Sequence, residues 1–214
     1  MNIVFLGSGG GGNLKFIHGY FEGATSIKVS GVITDRVCGA SKYANQHNIK
    51  SAILTFDRNE ESDMELINII EAINADIIVT NIHKILSKRI INAFGSKLIN
   101  LHYSYLPAFQ GTIGMAPVDE AMNRNNAFIG TTTHFLTEKV DDGNVITQGI
   151  FSRYGVSNAY QKTFECGALT LLSSIYSFLE EEMVGYRDFD TIRVSPSSDS
   201  IDKERCISIL KGLQ

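Results

Sequence analysis

The stretch Asp76-Ile77-Ile78-Val79-Thr80 is apolar at every central position. A strand with one wet face would alternate, so this run reads as a strand covered on both sides, as in parallel sheets flanked by helices. The chain around it agrees. Asn2 to Leu6, Ser26 to Thr34 and Ser51 to Leu54 are further short apolar strands, and Lys97 to Leu101 reads as a strand end. Helical patterns separate them: from Leu14, over Ser41 to His47, after Ser62, and over Ser87 to Phe94. Ser62 is expected to cap its helix, with Glu65 completing a capping box, and Leu66, Ile67, Ile70 and Ile73 mark one face. Strand–helix alternation up to Leu101 predicts an α/β fold: a doubly wound, Rossmann-like, mostly parallel sheet. Ligands of such sheets sit beyond the carboxyl ends of the strands.

After Gly111 the pattern changes. Ala116 to Met122 reads as a short helix. Ile129 to Leu136 and Asn144 to Phe151 are β-rich, with a polar loop, Thr137 to Gly143, between them. Antiparallel strands are therefore expected to extend the sheet in the C-terminal half. Ala159 to Glu182 reads as one long helix with a core stripe at Phe164, Ala168, Leu172, Ile175 and Leu179. Gly185 to Ser200 is expected to be irregular, and Ile201 to Leu213 a final helix. No linker or repeat interrupts the chain, so a single domain is expected over residues 1–214, with halves 1–99 and 100–214.

The 214 residues suffice for one sizeable core. A formal net charge of -4 argues against nucleic acid as the main partner. No apolar run is long enough for a membrane span, and no signal peptide is read at the N-terminus. Cys38, Cys166 and Cys206 are widely spaced, which suits free thiols in a reducing cytoplasm. Cys166 reads as a small core residue. His18, His47, His83, His102 and His134 show no ligand spacing, so no metal is expected.

Two stretches carry chemistry. Gly7-Ser8-Gly9-Gly10-Gly11-Gly12-Asn13 joins the first strand to a helix, a geometry that offers backbone N–H groups to an anion. It reads either as a phosphate or carboxylate site or as a tight strand-to-helix turn. Asn100 and His102, at i and i+2 on extended backbone, point to the same side. Addition to a carbonyl needs such a pair: a donor for the oxyanion and a group that moves protons near neutral pH. A capping asparagine and a buried, satisfied histidine are the alternative.

The order of motifs decides between them. Asn100-Leu101-His102-Tyr103-Ser104-Tyr105-Leu106-Pro107, then Gly130-Thr131-Thr132-Thr133-His134-Phe135, then Val140-Asp141-Asp142-Gly143 resembles the formyltransferase family that uses 10-formyltetrahydrofolate. The resemblance covers most of residues 1–180. It implies a catalytic trio of Asn100, His102 and Asp141, with Asp142 a rival for Asp141. It implies small-molecule substrates: 10-formyltetrahydrofolate, against Lys84, Ile85, Leu86, Thr137 and Glu138, and a phosphorylated amine held by Gly11, Gly12 and Asn13. Glu165 either contacts that amine or is a solvated helix residue. The glycine loop favours the amine of phosphoribosylglycinamide, as in purine synthesis. Tyr103 after the histidine, the segment Thr80 to Ile82, and Gly111 to Pro117 depart from that pattern and leave open another amine, such as a nucleotide-linked amino sugar, or a catalytically weak binding homologue. His102, beside Asp141, is expected to be held protonated, with a raised pKa. A monomer or homodimer is expected, without nucleic acid or membrane.

Overall fold

The computed structural model describes residues 1–179 and 182–213. They belong to two compact units: Met1–Asn100 with Phe135–Lys139, and Leu101–His134 with Val140–Gln214.

In the first unit β1 (Asn2–Gly7), α1 (Gly12–Tyr20), β2 (Lys28–Thr34), α2 (Gly39–Gln46), β3 (Lys50–Ile53), α3 (Glu60–Ile73), β4 (Ile77–Asn81) and α4 (Lys88–Phe94) follow in turn, and β5 (Leu98–His102) begins there. The strands run parallel in the order β3-β2-β1-β4-β5. Ile77, Ile78 and Val79 of β4 are wholly buried, as their unbroken apolar run requires. Val4, Leu6, Ile33, Ile78 and Leu98 form a core with Leu66 and Ile70 of α3. One cap differs from expectation. Asn59, not Ser62, caps α3: its side chain accepts a hydrogen bond from the Ser62 amide at 2.9 Å. Asn is as good a cap as Ser, and starting at Glu60 brings Glu60, Glu61 and Asp63 into the first turn, where carboxylates suit the helix dipole.

The second unit contains α5 (Ala116–Asn123), most of β6 (Phe128–Phe135), β7 (Val145–Ser152), α6 (Ala159–Ser177), β8 (Met183–Val184), β9 (Arg187–Phe189), β10 (Ile192–Ser195), β11 (Ser197–Ser198) and α7 (Lys203–Gly212). β6 and β7 pair antiparallel, β10 pairs antiparallel with β7 and β9, and β11 with β8. The fold class is thus α/β, mostly parallel, extended by antiparallel strands in the C-terminal half.

Two expectations in this half are corrected. The stretch 185–200 is not irregular but holds β9, β10 and β11. Phe189, Ile192 and Val194 point inward while Arg193 and Ser195 point out, an alternation too short to stand above the surrounding charge. The long helix stops at Ser177. Ser177 Oγ donates to the Ser174 carbonyl at 2.7 Å, competing with the helix ladder. Of the expected remainder, residues 180 and 181 lie outside the described residues, and Glu182 is not helical.

Helix α6 packs on β7, β10 and β11. Its buried face is more polar than a Leu/Phe stripe: Thr170 Oγ1 meets Thr131 Oγ1 at 2.8 Å, Ser173 meets Ser197 at 3.0 Å, and Ser174 is hydrogen-bonded to Thr133. Hydroxyls that satisfy one another avoid the cost of lone buried polar groups. Cys166 lies among them, and burial pushes its thiol up to about 12, so it is an inert core residue.

Candidate active site

The second unit builds a turn directly after β5. The Leu106 amide donates to Thr132 Oγ1 at 3.0 Å, and Thr132 Oγ1 donates to the Ser104 carbonyl at 2.8 Å. Gln148 Nε2 donates to the Leu106 carbonyl at 3.0 Å. Thr132 and Gln148 are cross-strand partners on β6 and β7. A rigid antiparallel pair therefore fixes the loop that leaves His102.

His102 is buried at the end of β5. Its Nδ1 lies 3.4 Å from Asp141 Oδ2, and its Nε2 lies 3.3 Å from the Phe109 carbonyl. The other Asp141 oxygen lies 3.5 Å from Nε2 of His134, which sits on β6. The Gly111 amide donates to Asp141 Oδ2 at 2.9 Å. Asp141 is thus a carboxylate between two imidazoles. Its backbone has φ 54, as Phe109 has φ 58, a left-handed region that non-glycine residues enter rarely. Asp142 is exposed and faces Gln110 Nε2 at 3.4 Å. Of the two candidate aspartates, Asp141 is the one beside the histidine. His134 belongs to the second of the three sequence motifs, which assigns it no role of its own. Its contact with that carboxylate was not read, because strand spacing says which face a residue takes but not which loop folds over it.

The electrostatics correct one expectation. His102 is held below the ordinary imidazole value, not above it: burial lowers it, and Asp141 and the Phe109 carbonyl pull upward without overcoming that. For Asp141 burial pushes up, but hydrogen bonds from His134 and the Gly111 amide, with His102 nearby, win and hold the carboxyl below the usual range. The resting pair is a buried carboxylate facing a mostly neutral imidazole. Both ring nitrogens of His102 nonetheless face acceptors, which only the doubly protonated ring satisfies in full.

The remaining expected site residues fall as follows. Asn100 lies in β5, two residues before His102, with its Oδ1 accepting from Thr80 Oγ1 at 3.1 Å. In the first unit, Lys84 and Ile85 are exposed while Leu86 is buried in the core. Thr137 and Glu138 are exposed in the loop after β6, where Leu136 packs on the cluster that contains Leu86. Glu138 meets Lys88 at 2.8 Å, so the two expected folate segments lie side by side.

The glycine loop opens α1 with Gly11 at φ 75 and no side-chain cap. Asn13 is buried. A Cβ on Gly11 would lie 3.0 Å from Ala40 Cα, and one on Gly39 would lie 2.7 Å from Gly10 Cα. Close packing between this loop and α2 accounts for Gly11 and Gly39, while the first-turn amides of α1 keep the geometry of an anion site. In the second unit Glu165 is mostly buried and meets Lys162 at 3.2 Å; it is not a solvated helix residue. Among the described residues no cluster of three or more His, Cys, Asp or Glu is placed to hold a metal, and no helix is long and apolar enough to cross a membrane.

A family model described as formyl transferase matches residues 1–169, and the chain belongs to this family. It is 31% identical over 159 residues to phosphoribosylglycinamide formyltransferase of Escherichia coli (strain K12), covering 69% of this chain and 71% of that one. It is also 23% identical over 180 residues to the mitochondrial formyltetrahydrofolate deformylase 2 of Arabidopsis thaliana, covering 81% of this chain and 54% of the relative. The chain spans about half the length of several of the curated relatives it matches. A crystal structure of glycinamide ribonucleotide transformylase 1 from Symbiobacterium toebii shares the fold, with a TM-score of 0.75 at 24% identity, covering 86% of this chain and 90% of the other.

Proposed function

We propose that this chain transfers a formyl group from 10-formyltetrahydrofolate to the amine of phosphoribosylglycinamide, a step of purine synthesis in the cytoplasm. The observation that carries the reading is the buried Asp141 carboxylate between His102 and His134, on the family's own motifs. With its oxygen engaged by Thr80, the amide nitrogen of Asn100 is the end that serves the formyl oxygen. His102 stabilises the negative charge that develops there and relays a proton. Asp141 stabilises the imidazolium as it forms and, through water, takes the proton that the attacking amine gives up. The new bond joins that amine to the formyl carbon. The bond from the carbon to the folate nitrogen breaks, and that nitrogen leaves with a proton. A resting neutral His102 fits a group that must accept and return a proton within one cycle.

A second reading has specific support. A deformylase uses the same attack with water in place of the amine, and relatives bearing that name match this chain. One assay separates the two. The protein is incubated with 10-formyltetrahydrofolate, with and without phosphoribosylglycinamide, and tetrahydrofolate and formate are followed. Amine-dependent tetrahydrofolate without formate supports transfer. Formate released at the same rate in both supports the deformylase.

A further inference from the structure

We propose that Gln110 is a positioning residue that holds Asp141 against His102. The claim rests on the proposed roles of that pair and adds a residue outside it. Gln110 Nε2 lies 3.0 Å from the Asp141 carbonyl, 3.2 Å from the Val140 carbonyl and 3.4 Å from Asp142 Oδ1. Carbonyl oxygens only accept, so the end of Gln110 that faces them is the donating nitrogen. Two N–H groups thus reach the carbonyl of Asp141 and that of the peptide that enters it.

That peptide needs holding. Asp141 sits at φ 54, in the left-handed region that non-glycine residues enter rarely. The contact of its carboxylate with His102 is long at 3.4 Å, and a small swing of the loop would open it. The flanking residues of the 109–112 segment support the same geometry. The Phe109 carbonyl faces His102 Nε2, and the Gly111 amide donates to Asp141 Oδ2. Thr112 Oγ1 donates back to the Phe109 carbonyl at 2.6 Å and steadies the turn. One segment therefore grips the imidazole on one side and the carboxylate on the other, and the side chain of Gln110 grips the loop itself.

Gln110→Met keeps the length and removes both donors. The decisive measurement is NMR titration of the His102 imidazole in the substrate-free protein, with Gln110→Ala as a second variant. Asp141 raises the His102 value, so a loosened carboxylate should lower it further in both variants. The turnover number should fall about ten- to a hundredfold, the scale of misplacing a reacting group by an ångström or less. KM for the folate should stay within about twofold, because no folate segment is touched. A His102 titration identical to the unaltered protein in both variants would overturn the proposal, whatever the rate does. The titration needs no substrate, so it stands apart from the assay that tests the reaction itself.

Discussion

At the scale of single residues, the site turns on how burial and charge compete at His102. Desolvation lowers its pKa and Asp141 raises it. Asp141→Asn removes the raising influence and leaves the burial, so the imidazole should titrate lower still. NMR of the ring in both proteins checks this, and an unchanged value would dissociate the two residues. His102→Ala and Asp141→Asn should each lower the turnover number by about a hundredfold or more, as losing proton transfer or charge stabilisation does. Steady-state kinetics at saturating folate would reveal it. Three ordered motifs made it legible in the sequence that His102 pairs with an aspartate of the 140–143 stretch, and the structure puts Asp141 rather than Asp142 beside the ring. The sign of the histidine shift was not legible there. A neighbouring carboxylate is visible in a sequence, whereas the depth of burial that outweighs it is a property of the packed chain.

At the scale of elements, parallel strands were easier to read than short antiparallel ones. β4 announces itself because both faces are buried and every central position is apolar. β9 and β10 hide because each is four residues or fewer, carries Asp188 and Arg193 outward, and turns a charged Arg187 inward to the Ser198 and Ile201 carbonyls. The glycine loop was read for its chemistry, and the packing of α2 against it was invisible without coordinates. Gly11→Ala tests that packing. The left-handed backbone and the 3.0 Å approach to Ala40 should together cost about 1–2 kcal/mol in denaturant unfolding. Gly10→Ala, whose Cβ would meet nothing within 4 Å, should change stability by less than about 0.5 kcal/mol. Equal losses at the two positions would refute the packing account.

At the scale of the whole molecule, the buried groups set how stability depends on pH. His102 and His18 both lie below 6.5 when folded, burial being the first cause in each. For His18 the nearby His47 adds to the lowering and Glu22 opposes it. A histidine with a depressed folded value binds fewer protons than its unfolded counterpart as acid is added. Its contribution is present above pH 6.5 and is lost as pH falls below it. Asp141 acts in the same direction lower down: its contribution is lost as pH drops below 3.8 through its folded value. The urea midpoint should therefore be flat above about pH 7 and fall toward pH 5.5, with His102→Phe removing part of the fall. The central claim is that Asp141 serves the chemical step through His102. It is tested most directly by single-turnover formyl transfer to phosphoribosylglycinamide in the unaltered protein and in Asp141→Asn, with folate affinity measured alongside by fluorescence. The account predicts a transfer rate about a hundredfold or more lower with folate affinity within about twofold. A transfer rate left intact in Asp141→Asn would contradict it.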